Sequence, residues 1–126
     1  CLSGDFPALR REQRALVDRA IALYAQVVPV IKHGRSFRHG PEVTAYRHAA
    51  GWQAVVRAGT DGKQVLFVGH TFARPGLKTI RVPLPPGKWR VAGELADGPS
   101  RTKLVRGELH WRPAGEWCGC TVLLTR

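Results

Sequence analysis

The sequence predicts a mainly β protein: an antiparallel β-sandwich of about 7–8 strands, preceded by one long amphipathic α-helix. Three observations predict it. Apolar residues between Leu9 and Ile31 recur at three- and four-residue steps. From Arg35 onward the period changes to two. Glycine- and proline-bearing turn signals then punctuate the chain at about 8–12-residue intervals.

The helix comes first. Leu16, Val17, Ala20, Ile21, Tyr24, Val27, Val28 and Ile31 share one stripe, with Arg14, Asp18, Arg19 and Gln26 facing away. Arg11 to Arg14 are good helix formers, and Gly34 stands where a left-handed helix end favours glycine. Pro29 removes a backbone donor, which predicts a kink or an early end near Val28.

The strands follow in order. Thr44 to His48 predicts a short strand, and Trp52 to Arg57 a second in which Trp52, Ala54 and Val56 share a face. Asp61-Gly62 is a hairpin turn, with Gln64 to Phe72 returning from it. In Leu77 to Leu84, Ile80, Val82 and Leu84 point inward. After Pro85-Pro86-Gly87, Trp89, Val91 and Gly93 do the same. Asp97-Gly98-Pro99 turns into Thr102–Val105 and Leu109–Arg112. Glu116 to Thr125 is apolar on both faces through Val122, Leu123 and Leu124, which places it centrally in a sheet. Val56, Phe67, Ile80, Val82, Trp89, Val91 and Val122 are the expected core.

Composition narrows the function classes. The chain has 126 residues, 44% of them hydrophobic, which suits a folded domain. No apolar run approaches the ~20 residues of a membrane helix, so no membrane partner is expected. The net charge of +11 concentrates beyond Arg35, but Arg57, Arg81, Arg90, Arg106 and Arg112 are spaced singly along strands. Such spacing predicts a solvated sheet face, with weak attraction to polyanions and no specific nucleic-acid function.

Catalytic patterns are sparse. Ser36 lacks the second glycine of a nucleophile elbow. His33, His39, His48, His70 and His110 have no metal-ligand spacing, and Cys118 and Cys120 lack the two-residue spacer of a metal pair. They read as small apolar-strand residues; neither metal nor cofactor is expected. Glu94 and Glu108 read as outward partners of strand arginines. Of four tryptophans, Trp52 and Trp89 have inward parity, leaving Trp111 and Trp117 as candidate sugar-stacking residues.

One resemblance covers the chain. Leu2-Ser3-Gly4-Asp5-Phe6, Glu12-Gln13-Arg14-Ala15-Leu16-Val17 and Ile21-Ala22-Leu23-Tyr24, followed by Ile31-Lys32-His33-Gly34, resemble the C-terminal end of a retaining α-galactosidase of the melibiase superfamily. Tyr46-Arg47-His48, Gly51 to Val56, Gly107-Glu108-Leu109 and Cys120 to Leu124 resemble the sandwich that closes such proteins. The resemblance implies that residues 1–34 are the terminal loop and last helix of a (β/α)8 barrel lying outside this chain, and that residues 35–126 are the C-terminal sandwich. It implies a non-catalytic accessory domain that stabilises the barrel, because the family's two catalytic aspartates lie on earlier barrel strands. Asp5 would lie at the barrel rim, in reach of substrate. The alternative is a carbohydrate-binding module using Trp111 or Trp117. The chain begins with Cys1, so a longer parent is expected, with a cytoplasmic location favoured. Without its barrel, the helix stripe is expected to self-associate.

Overall fold

The computed structural model describes residues 6–45 and 47–126. A 3-10 turn, Phe6–Ala8, leads into helix α1 (Arg11–His33). Eight strands follow: β1 (Arg35–His39), β2 (Trp52–Ala58), β3 (Gln64–Thr71), β4 (Ile80–Pro83), β5 (Arg90–Ala96), β6 (Arg101–Val105), β7 (Glu108–Arg112) and β8 (Gly119–Thr125). They form two antiparallel sheets, of order β1-β2-β3-β8-β5 and β4-β7-β6.

Strand alternation builds three layers. Ala54 and Val56 of β2, Val65 and Phe67 of β3, and Cys120, Val122 and Leu124 of β8 face the smaller sheet. Ile80, Val82, Leu109 and Trp111 meet them from the other side. The opposite face of the larger sheet carries Leu66 and Leu123, and α1 covers it with Leu23, Val27 and Val30. So β3 and β8 are buried on both faces, which is why Leu66-Phe67-Val68 and Val122-Leu123-Leu124 read as unbroken apolar runs. The last strand is central as expected, hydrogen-bonded to β3 and β5.

The helix start uses Gln13, whose side chain accepts a hydrogen bond from the Arg10 N–H at 3.0 Å. At the other end Arg57 of β2 donates through Nε to the Val30 carbonyl at 2.7 Å, and through Nη1 to Ser36 Oγ at 2.6 Å. The Val30 carbonyl also accepts the Gly34 N–H at 2.9 Å, so the guanidinium is its second donor and fastens α1 to the sheet.

Several expectations need correction. The helix runs through Pro29 to His33 without ending near Val28; the Arg57 contact and the burial of Val27 and Val30 hold the last turns in place. Gly34 is extended (φ −73°), not left-handed. Glycine is required there by crowding: a Cβ would lie 2.5 Å from the Val30 carbonyl oxygen and 2.7 Å from that of Ala58. Residues 41–45 form no strand. The extra strand is β1 instead, whose Arg-Ser-Phe-Arg-His sequence has a single apolar residue and so little period-two signal. Pairing with β2 makes it a strand.

Val91 is 45% exposed and leaves the core, while Trp89 packs only at its edge. A bulge between Val91 and Gly93 on the edge strand β5 shifts the alternation beyond it. Glu94 consequently accepts a hydrogen bond from Thr102 Oγ1 at 2.7 Å; on β7, independently of the bulge, Glu108 approaches His110 Nε2 at 2.8 Å. Neither partner is an arginine.

Candidate functional site

The apolar residues of α1 divide between two faces. Leu16, Ala20, Leu23, Val27 and Val30, at steps of four, three, four and three, look toward the sheet. A second series with the same steps, Val17, Ile21, Tyr24, Val28 and Ile31, starts beside the first, where Val17 still lines the cleft against the sheet, and reaches the outer side from Ile21 onward. Ile21 is 48% exposed, Tyr24 60% and Ile31 38%. The expected single stripe mixed the two series and omitted Leu23 and Val30. Both had the right spacing, but a stripe wider than half the helix gives no sign of which half meets the sheet.

The helix therefore folds back on the sandwich, and its outer series alone remains for another surface. Asp5, with Ser3 and Gly4, lies outside the described residues.

The two tryptophan candidates separate cleanly. Trp111 is fully buried on the inner side of β7, edge-on to Phe67 at 5.9 Å between centroids. It cannot stack on a sugar. Its parity follows from pairing with Ile80 across β4, which the sequence could not supply because the β4–β7 pairing spans a long stretch of chain. Trp117 is 63% exposed, with its ring edge-on to Phe72 at 6.1 Å.

The Trp117 corner is built, not loose. Thr71, 2% exposed, donates from Oγ1 to the Gly115 carbonyl at 2.8 Å and accepts from the Cys118 N–H at 2.9 Å. Glu116 Oε1 accepts from the Arg74 N–H at 2.7 Å. These bonds hold Arg74 and Trp117 at φ of 49° and 54°, left-handed values that non-glycine residues adopt at a cost of order 1–3 kcal/mol. The exposed indole is the product of that strained loop.

No family model, curated protein or solved structure significantly matches the chain. Function therefore has to be argued from these surfaces.

Other reactive groups are quiet. Among the described residues no group of three His, Cys, Asp or Glu could hold a metal ion. Burial, then the neighbouring Glu94 carboxylate, pushes the Cys120 thiol from 9.0 up to about 12. At pH 8 iodoacetamide is expected to label Cys118 and spare Cys120, leaving one label on the peptide that holds both, by mass spectrometry. The sign for stability follows. Above about pH 9 the unfolded thiol ionises while the folded one keeps its proton, so this group lowers stability as pH rises. Two labels on that peptide after labelling of the native chain at pH 8 would contradict the burial of Cys120.

The open edge of the sandwich forms a cleft of about 330 Å3, lined by Phe37, His39, Val56, Leu84 and the prolines 83, 85 and 86. Desolvation holds the His39 imidazole below its usual value, and its Nε2 is buried without a partner.

Proposed function

We propose that this chain is a non-catalytic accessory domain at the C-terminal end of an α-galactosidase-like glycoside hydrolase, docked on a catalytic barrel by the outer face of α1. The observation that carries the proposal is the exposure of Ile21, Tyr24 and Ile31, left uncovered after Leu23, Val27 and Val30 have packed on the sheet. A helix that is apolar on two faces is suited to burial from both sides. The resemblance of residues 2–34 to a last barrel helix supplies the identity of the second side. A helix shared between barrel and sandwich would couple the two units rigidly, which is how an accessory sandwich stabilises its neighbour.

The test is to obtain the coding sequence upstream of Cys1 and express the longer protein. The expected product contains a (β/α)8 barrel with a catalytic aspartate pair and hydrolyses an α-galactoside. In it, Ile21→Lys with Tyr24→Lys is expected to lower the melting temperature of the barrel by several degrees, as read by calorimetry. A parent without a barrel, or one whose barrel is indifferent to this change, rejects the proposal.

A second reading is favoured by the Trp117 corner: a carbohydrate-binding module that stacks a sugar on one exposed indole. It predicts that galacto-oligosaccharides shift the tryptophan fluorescence of the chain, and that Trp117→Gly abolishes the shift. Glycine suits the φ of 54° at this position, so the variant is expected to fold at least as stably as the parent sequence. An unchanged titration in Trp117→Gly rejects stacking at this ring.

A further inference from the structure

The smaller sheet turns its second face to solvent, and that face is basic. Ile80, Val82, Leu109 and Trp111 point into the core, so the alternate residues of β4, β6 and β7 point out. Arg81 lies opposite His110, which lies opposite Lys103, and Arg101 lies opposite Arg112. Residues spaced singly along the sequence are thereby gathered on one small surface, with Arg81, Arg101, Lys103 and Arg112 all exposed. The single carboxylate on these strands, Glu108, is 2.8 Å from His110 Nε2, and among the described residues no arginine or lysine of this face is paired with a carboxylate.

Like charges placed directly across strands destabilise a sheet. An anion between them removes that penalty. Between Arg101 and Arg112 lies a depression of about 350 Å3 bordered by Pro99, Pro113 and Ala114, a rim whose two prolines restrict its movement.

We propose that this face binds a linear anionic polysaccharide, with carboxylates or sulfates set between Arg101 and Arg112 and along the row from Arg81 to Lys103. Arg101 and Arg112 lie about 4.8 Å apart across adjacent strands, Arg101 and Lys103 about 6.8 Å apart along β6, and Arg81 stands two strands from Lys103, so an extended polyanion meets several cations on one face. Guanidinium forks suit planar carboxylates and other oxyanions.

Other polyanions fit less well. Sheets that bind single-stranded nucleic acid stack its bases on outward aromatic rings; here Trp111, the one Phe, Tyr or Trp of these strands, points inward, and the outward imidazole of His110 is held by Glu108 at 2.8 Å. Among the described residues no helix or ribbon projects from this face to enter a duplex groove. Protein interfaces centre on apolar anchors, whereas the centre here is cationic. The face lies on the far side of the larger sheet from α1, so its use is independent of helix docking.

The experiment measures binding of the chain to a fluorescent heparin oligosaccharide and to a duplex DNA of equal length, over a salt series. One variant carries Arg81→Gln, Arg101→Gln and Arg112→Gln. A control with the same net charge carries Arg11→Gln, Arg19→Gln and Lys32→Gln on α1, and circular dichroism verifies both folds. Heparin is expected to bind more tightly than the duplex. The sheet variant is expected to lose about a hundredfold in affinity, from roughly fivefold per cation facing an anionic surface, and the control less than about threefold. Equal losses in the two variants would reduce the effect to diffuse net charge and overturn the proposal. Preference for the duplex, or no heparin binding at low salt, would overturn it too.

Discussion

Trp111→Ala is expected to destabilise the fold by about 3–5 kcal/mol, enough to leave the domain largely unfolded at physiological temperature. Trp111 is the largest fully buried side chain, and it closes the space between Phe67 and the backbone of β3. The opposing position explains why the ring fits. A Cβ at Gly69 would lie 2.6 Å from Trp111 Cζ3 and 2.8 Å from Phe67 Cζ, so β3 has glycine where the indole approaches. Gly69→Ala alone is expected to cost about 1–3 kcal/mol by overpacking. Combined with Trp111→Ala, the added methyl enters the cavity, and the double change should be less harmful than the sum of the two. Denaturant titrations of the four proteins measure this coupling, with about 1 kcal/mol or more of relief expected. Additive losses would mean that Gly69 and Trp111 do not share this space.

Val27→Asp is expected to cost several kcal/mol and to release α1 from the sheet, whereas Ile21→Asp should change stability by about 0.5 kcal/mol or less. The two residues are less than two turns apart on one helix, and their burial decides the difference: Val27 is 4% exposed and packs with Leu66 and Leu123, while Ile21 is 48% exposed. A short carboxylate at Val27 cannot reach water past the sheet, as a long lysine could. Hydrogen exchange reads the result directly. In Val27→Asp the α1 amides should lose protection while those of β3 and β8 keep theirs, because the inter-sheet core does not include the helix. In Ile21→Asp the protection should be unchanged, and any self-association through Ile21, Tyr24 and Ile31 should be weakened in sedimentation. Equal destabilisation by both changes would place Ile21 in the core and remove the basis for an outer docking face.

Much of this protein was legible from its residues alone because the relevant signals are local. The three- and four-residue spacing of apolar positions specifies a helix, and the Asp61-Gly62 hairpin, the alternation in β2 and β4, and the double-faced apolar run of β8 specify an antiparallel sandwich. Those patterns depend only on backbone periodicity and on the exclusion of apolar groups from water. What they leave undetermined is which face meets which. The helix carries two apolar series with identical spacing, and only packing against Leu66 and Leu123 assigns Leu23, Val27 and Val30 to the inside. Trp111 and Trp117 are equally indolic in sequence; the register of β7 with β4 buries the first, and a loop pinned by Thr71 exposes the second. The edge position of β5 leaves Val91 exposed, and the bulge beyond it turns Glu94 to the side expected to be apolar. The basic face is the plainest case. Arg81, Arg101, Lys103 and Arg112 are scattered along the chain, and strand pairing across β4, β7 and β6 brings them together, because register is set by long-range contacts that no local pattern encodes.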